Sequence, residues 1–118
     1  MLKNNQETQE YFFEEGCYIT EWWNEIQDSD VSIARARVKP GQTTRKHALK
    51  NTIERYLVLK GTGTVFIGTE TPQVVCENDV VAIPAGTSQY ISNTGREDLV
   101  FLAICTPRFT TENYMELE

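Results

Sequence analysis

The stretch Gly41-Gln-Thr-Thr-Arg-Lys-His47-Ala-Leu49-Lys-Asn-Thr-Ile-Glu54-Arg-Tyr56-Leu-Val-Leu-Lys-Gly61 holds the only histidine of the chain and decides the reading of its fold. Two runs with strand character, Thr43 to Leu49 and Ile53 to Leu59, are separated only by Lys50, Asn51 and Thr52. Asn51 tolerates the left-handed backbone of a tight turn, so a hairpin is expected there. Side chains alternate along a strand, and a turn centred on Asn51 then sets His47 and Glu54 on one sheet face. An imidazole facing a carboxylate is the smallest unit of either a metal site or an acid/base dyad.

Outward from this stretch the chain reads as strand after strand. Expected strands lie near Cys17 to Trp22, Val31 to Val38, Gly63 to Ile67, Gln73 to Cys76, Val80 to Ile83, Ser88 to Ser92 and Leu99 to Cys105. Gly, Pro, Asn or Asp punctuates them at short intervals, and no helix-length amphipathic pattern intervenes. The spacing is that of an all-β domain. Residues 1–10 are polar and are expected to form a flexible segment ahead of a single domain over 11–118, with a short helical turn near Thr111 to Leu117. Neither end carries an evident catalytic pattern.

Within the 118 residues there is room for one domain, and the formal net charge of −6 with scattered Lys and Arg argues against nucleic acid binding. No apolar run reaches the ~20 residues of a membrane span, and no hydrophobic leader opens the chain, so a cytoplasmic location is expected. Cys17, Cys76 and Cys105 are odd in number and widely spaced, which indicates neither a disulfide framework nor a zinc knuckle.

The glycine-bracketed run resembles the first signature of the cupin superfamily, with Gly41, His47, Glu54 and Gly61 at matching places. The second signature resembles Asn78 to Asn93, where Pro84, Gly86, Gln89 and Asn93 fall in step. The resemblance implies a cupin-type double-stranded β-helix, the jelly-roll barrel. In metal-binding cupins, two histidines and a glutamate of the first signature and a histidine of the second hold one divalent ion inside the barrel. Here Leu49 stands at the second histidine position and Gln89 at the last, so two of the four ligands are altered. His47, Glu54 and Gln89 remain as candidate ligands for a weakly held Mn²⁺, Zn²⁺ or Mg²⁺, a set too poor in nitrogen for oxygen activation.

Parity puts Tyr56 on the face of Glu54, and Gln89 on the face of Asn93. Tyr56 becomes a candidate catalytic acid or pocket wall, and Gln89 and Asn93 become candidate ligand-binding residues. Glu54, facing inward, needs a positive or protonated companion. Arg35 and Arg37 share one face of their strand and are placed at the surface or a subunit contact, because Ala34 and Ala36 suit a crowded interior; Arg108 has no assigned direction. Apolar residues on both faces of the strand after His47, and the adjacent Trp22 and Trp23, point to a covering surface and hence a homodimer.

Three functions follow. The first is a small-molecule cupin with a partial metal site and isomerase, lyase or cyclase chemistry. In the second, epimerase-like and free of metal, His47 is the base, oriented by Glu54, with Tyr56 as acid. The third is a ligand-binding module without catalysis.

Overall fold

A computed structural model describes all 118 residues. Eleven strands alternate with turns: β1 (Tyr11–Phe13), β2 (Cys17–Trp23), β3 (Ser32–Val38), β4 (His47–Leu49), β5 (Ile53–Lys60), β6 (Thr62–Ile67), β7 (Gln73–Cys76), β8 (Val80–Ile83), β9 (Gln89–Asn93), β10 (Leu99–Thr106) and β11 (Tyr114–Glu116). They form two antiparallel sheets, ordered β1-β2-β3-β10-β5-β8 and β11-β4-β9-β6-β7, the jelly-roll architecture expected of the sequence. Inward residues of both sheets, among them Val38, Val58, Val65, Ile83, Ile91, Leu99 and Phe101, interdigitate as one core. No helix of the chain is long and apolar enough to cross a membrane.

The strand positions follow alternation closely, and three expectations need correction. First, β4 and β5 are not a hairpin. His47 pairs with Gln89 of β9, whereas β5 pairs with β10 and β8, so the chain crosses from one sheet to the other at Lys50 to Thr52. Asn51 takes the expected left-handed turn, with φ of 56°, but Lys50 N–H is captured by Asn113 C=O at 2.7 Å instead of by a hairpin partner. Second, β4 is shorter than read, and Thr43 contributes only an isolated bridge to Ser92. Third, the C-terminus carries a single 3₁₀ turn, Thr111–Asn113, and then strand β11 on the edge of β4. The Tyr11–Phe13 strand was not expected at all. Ahead of it, Lys3 and Asn5 donate to the backbone of β2, at Glu21 and Trp22 carbonyls.

Gly61 shows why the stretch must end on glycine. Its φ is +90°, and a Cβ there would lie 2.7 Å from Asp98 O, a backbone atom with little freedom to withdraw. Replacing Gly61 with alanine combines left-handed strain with this clash, and a loss of about 2 kcal/mol or more is expected. Urea denaturation of the variant reads it as a lower midpoint at unchanged slope.

On the outside, Arg37 pairs with Glu10 at 2.8 Å and Asp98 at 3.1 Å, and Arg35 lies 3.6 Å from Glu10. Ala34 and Ala36 face the interior, as their size suggested. Arg108 donates to Asn24 at 2.8 Å in the β2–β3 connection. The outward face of β5 is only partly covered within the chain, with Leu57 half-buried and Leu59 exposed.

Candidate functional site

Between the sheets, toward the end built by β1, β4, β11 and the β2–β3 connection, lies a cavity of about 70 Å³ whose lining includes Tyr11, Glu21 and Asn24. That volume is room for roughly five waters. The walls are mostly apolar, with Phe13, Trp23, Phe101, Phe109 and Tyr114 supplying aromatic surface and Leu49 and Ala36 aliphatic surface. His47, Glu54 and Tyr56 all line it. Sequence alternation had brought these three together through a hairpin; the structure does so by facing two sheets.

His47 is 2 % exposed. Its Nδ1 lies 2.7 Å from the Arg45 carbonyl oxygen, which only accepts, so Nδ1 carries the proton and Nε2 holds the free lone pair. Nε2 is 3.2 Å from Glu15 Oε2. The Tyr114 ring stacks on the imidazole with centroids 5.2 Å apart and planes 18° from parallel. Arg45 anchors both partners, since its N–H also donates to the Glu15 carbonyl at 2.6 Å. Burial pushes the His47 pKa down, and the Arg45 carbonyl offsets part of that.

Glu15 is the cavity carboxyl facing His47 that sequence reading missed. It sits in the β1–β2 turn, and its carboxyl accepts from Cys17 Sγ at 3.2 Å and from the Tyr114 hydroxyl at 3.4 Å. Burial and the nearby Glu54 charge raise its pKa to about 7, against the pull of those two donors. Glu54, fully inside β5, is likewise pushed up to about 7 by burial, which Gln89, Cys105 and Tyr56 only partly offset. Cys105 Sγ donates to it at 3.6 Å, a long and weak contact.

Tyr56 donates a short hydrogen bond to Gln89 Oε1, and burial, more than the neighbouring carboxyls, raises its pKa well above the ordinary phenol value. Gln89 is 1 % exposed, and its Nε2 has no hydrogen-bond partner. It stands near enough to Glu54 to draw that carboxyl down somewhat, yet donates no well-formed hydrogen bond to it. Asn93, expected to meet a ligand, does not line the cavity. Its Nδ2 donates to Val38 O and Glu97 O, both at 2.8 Å, and its Oδ1 accepts from Gly95 N–H at 2.9 Å. Backbone carbonyls exhaust its donors, so it closes loops at the far end of the barrel.

The donors do not assemble as a metal site. No three His, Cys, Asp or Glu side chains converge. Gln89 Oε1 is taken by Tyr56, Leu49 fills the second histidine position with a hydrocarbon, and the free nitrogen of His47 faces Glu15. The polar groups present are suited to hold and move protons: one imidazole with a defined tautomer and two carboxyls that titrate near neutrality.

The fold and these signatures agree with the cupin domain family, whose model matches residues 34–105, and the chain belongs to that family. No curated protein matches the chain. Among solved structures it is similar to a predicted oxalate decarboxylase from Thermotoga maritima, at 22 % identity and a TM-score of 0.80 over 91 % of this chain and 99 % of that one. It is also similar to Pac13, a nucleoside dehydratase, at 15 % identity and a TM-score of 0.82 over 100 % and 91 % of the two chains. KdgF from Halomonas sp. aligns at 16 % identity and a TM-score of 0.79 over 92 % and 94 %. At such identities the likeness concerns the barrel alone.

Proposed function

We propose that the chain is a small-molecule enzyme of the proton-transfer kind, performing an isomerisation or elimination without a metal, with His47 as general base and Glu54 as general acid. The observation that carries this reading is the fixed tautomer of His47, whose basic Nε2 points into the cavity beside Glu15 while a second carboxyl stands inside the same walls. Two carboxyls that repel each other in an apolar cavity do not both ionise at once near neutrality, so one serves as anion while the other keeps its proton. With Glu15 ionised, His47 Nε2 takes a proton from substrate carbon and the resulting imidazolium is held by the Glu15 carboxylate. Glu54 then gives its proton to the departing or newly forming oxygen. In an elimination, the C–H pair becomes the new double bond and the C–O pair leaves as water.

Tyr56 has a different role from the acid expected of it. Its hydroxyl is committed to Gln89 and its pKa is raised, so Tyr56 positions Gln89, and the carboxyl near 7 is the better donor. The dehydratase activity that names Pac13 supports the reading as chemistry that a barrel of this shape accommodates.

The test is a turnover screen over small hydroxycarbonyl compounds with the wild type, His47→Ala and Glu54→Gln, each with and without chelator. Removing a general base is expected to cost roughly 10²–10⁴ in rate, and chelator is expected to change nothing. Because the titrations are coupled, the rate should peak near neutral pH and fall on both sides. Turnover that survives His47→Ala, or disappears with chelator, would sink the assignment. The single histidine adds a spectroscopic check: its imidazole nitrogen shifts should show Nδ1 protonated and Nε2 bare at pH 8.

A further inference from the structure

We infer that Tyr114 is a positioning residue that gives the two cavity carboxyls their roles: its hydroxyl, set on Glu15 Oε2, makes Glu15 the anion and leaves the proton on Glu54. This deepens the proposed function and rests on its reading of Glu54 as the general acid. Burial does not tell the two carboxyls apart, since it raises both to about 7. Their hydrogen-bond donors do. Both oxygens of Glu15 are engaged, Oε1 by Cys17 Sγ at 3.2 Å and Oε2 by the Tyr114 hydroxyl at 3.4 Å. Glu54 has only the long 3.6 Å contact from Cys105 Sγ. Tyr56 and Gln89 stand close to Glu54, but the Tyr56 hydrogen is spent on Gln89 Oε1 and Gln89 Nε2 forms no bond. That N–H is no obstacle to a protonated Glu54, whose carbonyl oxygen still accepts. Donors aimed at a carboxyl favour its charged form, so the better-furnished Glu15 is the one to ionise.

The placement of Tyr114 suits this role. Its ring is fixed from two sides, stacked on His47 at 5.2 Å and edge-on to Phe13 at 5.3 Å. Its strand β11 lies on β4 with Tyr114 opposite Leu49, and Glu116 of the same strand pairs with Arg45 at 2.5 Å. The backbone of Arg45 in turn holds His47 Nδ1 and the Glu15 carbonyl, so one residue keeps the phenol, the imidazole and the carboxyl in register. Glu15 Oε2 therefore faces both the Tyr114 hydroxyl and, at 3.2 Å, His47 Nε2, where the imidazolium is to be held. The 3.4 Å separation is long for a hydroxyl bond and shortens once the oxygen is charged. Burial, and then the Glu15 charge, hold the phenol above its ordinary pKa, so it remains a donor. The other titratable groups around Glu15 are Tyr11 of β1, Cys17 of β2, His47 of β4, and Glu54 and Tyr56 of β5. No Lys or Arg lines the cavity to select the anion in place of Tyr114.

Tyr114→Phe removes the hydroxyl alone and keeps both ring contacts. The wild type, this variant and Cys17→Ser are labelled at the glutamate carboxyl carbons, and Glu15 and Glu54 are titrated by NMR through neutral pH. In the wild type Glu15 is expected to ionise at lower pH than Glu54. In Tyr114→Phe the Glu15 midpoint should rise by roughly half a pH unit or more, and the Glu54 midpoint should fall, because a Glu15 that keeps its proton no longer repels a second charge. Cys17→Ser, which sets a stronger donor on Oε1, should lower the Glu15 midpoint instead. A role confined to packing would move neither carboxyl. On any substrate that the turnover screen yields, Tyr114→Phe is expected to lower kcat roughly ten-fold and leave KM unchanged. Unmoved carboxyls in Tyr114→Phe, or a wild type in which Glu54 ionises first, overturn the inference whether or not the protein turns over a substrate. Carboxyls that move as expected in a protein without turnover leave Tyr114 its role and overturn the proposed function instead.

Discussion

Equilibrium denaturation across pH 5 to 9 is expected to show a protein that loses several kcal/mol of stability as pH rises, the reverse of the usual trend for carboxylates. Glu15 and Glu54 are raised from 4.5 to about 7 in the folded state. Between those values the folded chain binds more protons than the unfolded one, so stability falls with increasing pH. The contribution is fully present below about pH 4.5 and lost above about pH 7, and each carboxyl accounts for roughly 3 kcal/mol. His47 acts in the opposite sense. Its lowered pKa means that the unfolded chain protonates first, which costs stability as pH falls below the ordinary histidine value. The two effects together place the maximum on the acid side of neutrality.

Glu54→Gln isolates one of these two causes. Glutamine reproduces the protonated carboxyl in shape and keeps an oxygen toward Cys105, so at pH 5 the variant should match the wild type within about 1 kcal/mol. At pH 9 it should be the more stable protein by roughly 3 kcal/mol, since no charge has to be held in the core. A wild type whose stability rises from pH 5 to 9, or a variant weaker than wild type at pH 9, would show that Glu54 is ionised and paired in the free protein. The same variant is expected to lose turnover. Gain of stability with loss of activity at one residue is what a strained functional group produces.

Much of the fold is legible in the sequence because burial on one face writes itself as alternation. Glu54, Tyr56 and Val58 turn inward as read, and Gln73 to Cys76 and Val80 to Ile83 match strand for strand. Asn51, Gly61 and Asn78 take the left-handed backbones that their residue types permit. What alternation does not encode is the partner of a strand. Lys50-Asn51-Thr52 would serve either a hairpin or a crossing between sheets, and the choice is made elsewhere, by β9 and β11 occupying the two edges of β4 and leaving none for β5. Glu15 stayed hidden for a related reason. Glu14-Glu15-Gly16 has the composition of a solvated turn, and the left-handed Gly16, with φ of 102°, together with the Arg45 N–H on the Glu15 carbonyl, goes with one of the two glutamates turning inward. Tyr114 belongs to a three-residue strand too short to show a period. The imidazole was recognised from its place in the motif, and the carboxyl that faces it came from a segment with no motif.

Asn93→Ala is expected to destabilise the protein by about 3 kcal/mol and to leave the chemistry of the cavity intact. The side chain is 3 % exposed and makes three hydrogen bonds, to Val38 O, Glu97 O and Gly95 N–H. Truncation strands these groups, and a buried group left without its partner costs about 1–3 kcal/mol. Its backbone is also engaged with the loop after β3, accepting from Gly41 N–H and donating to Gln42 O, so the residue ties the β9–β10 turn to the end of β3 and the loop that follows it. Aspartate is no substitute, because it keeps an acceptor for Gly95 and loses both donors. Asn93 lies four residues along β9 from Gln89, a separation of roughly 13 Å at strand rise. The histidine signals and the rate per folded molecule should therefore stay at wild-type values while the urea midpoint falls. A variant of normal stability that loses ligand affinity would return Asn93 to the binding site.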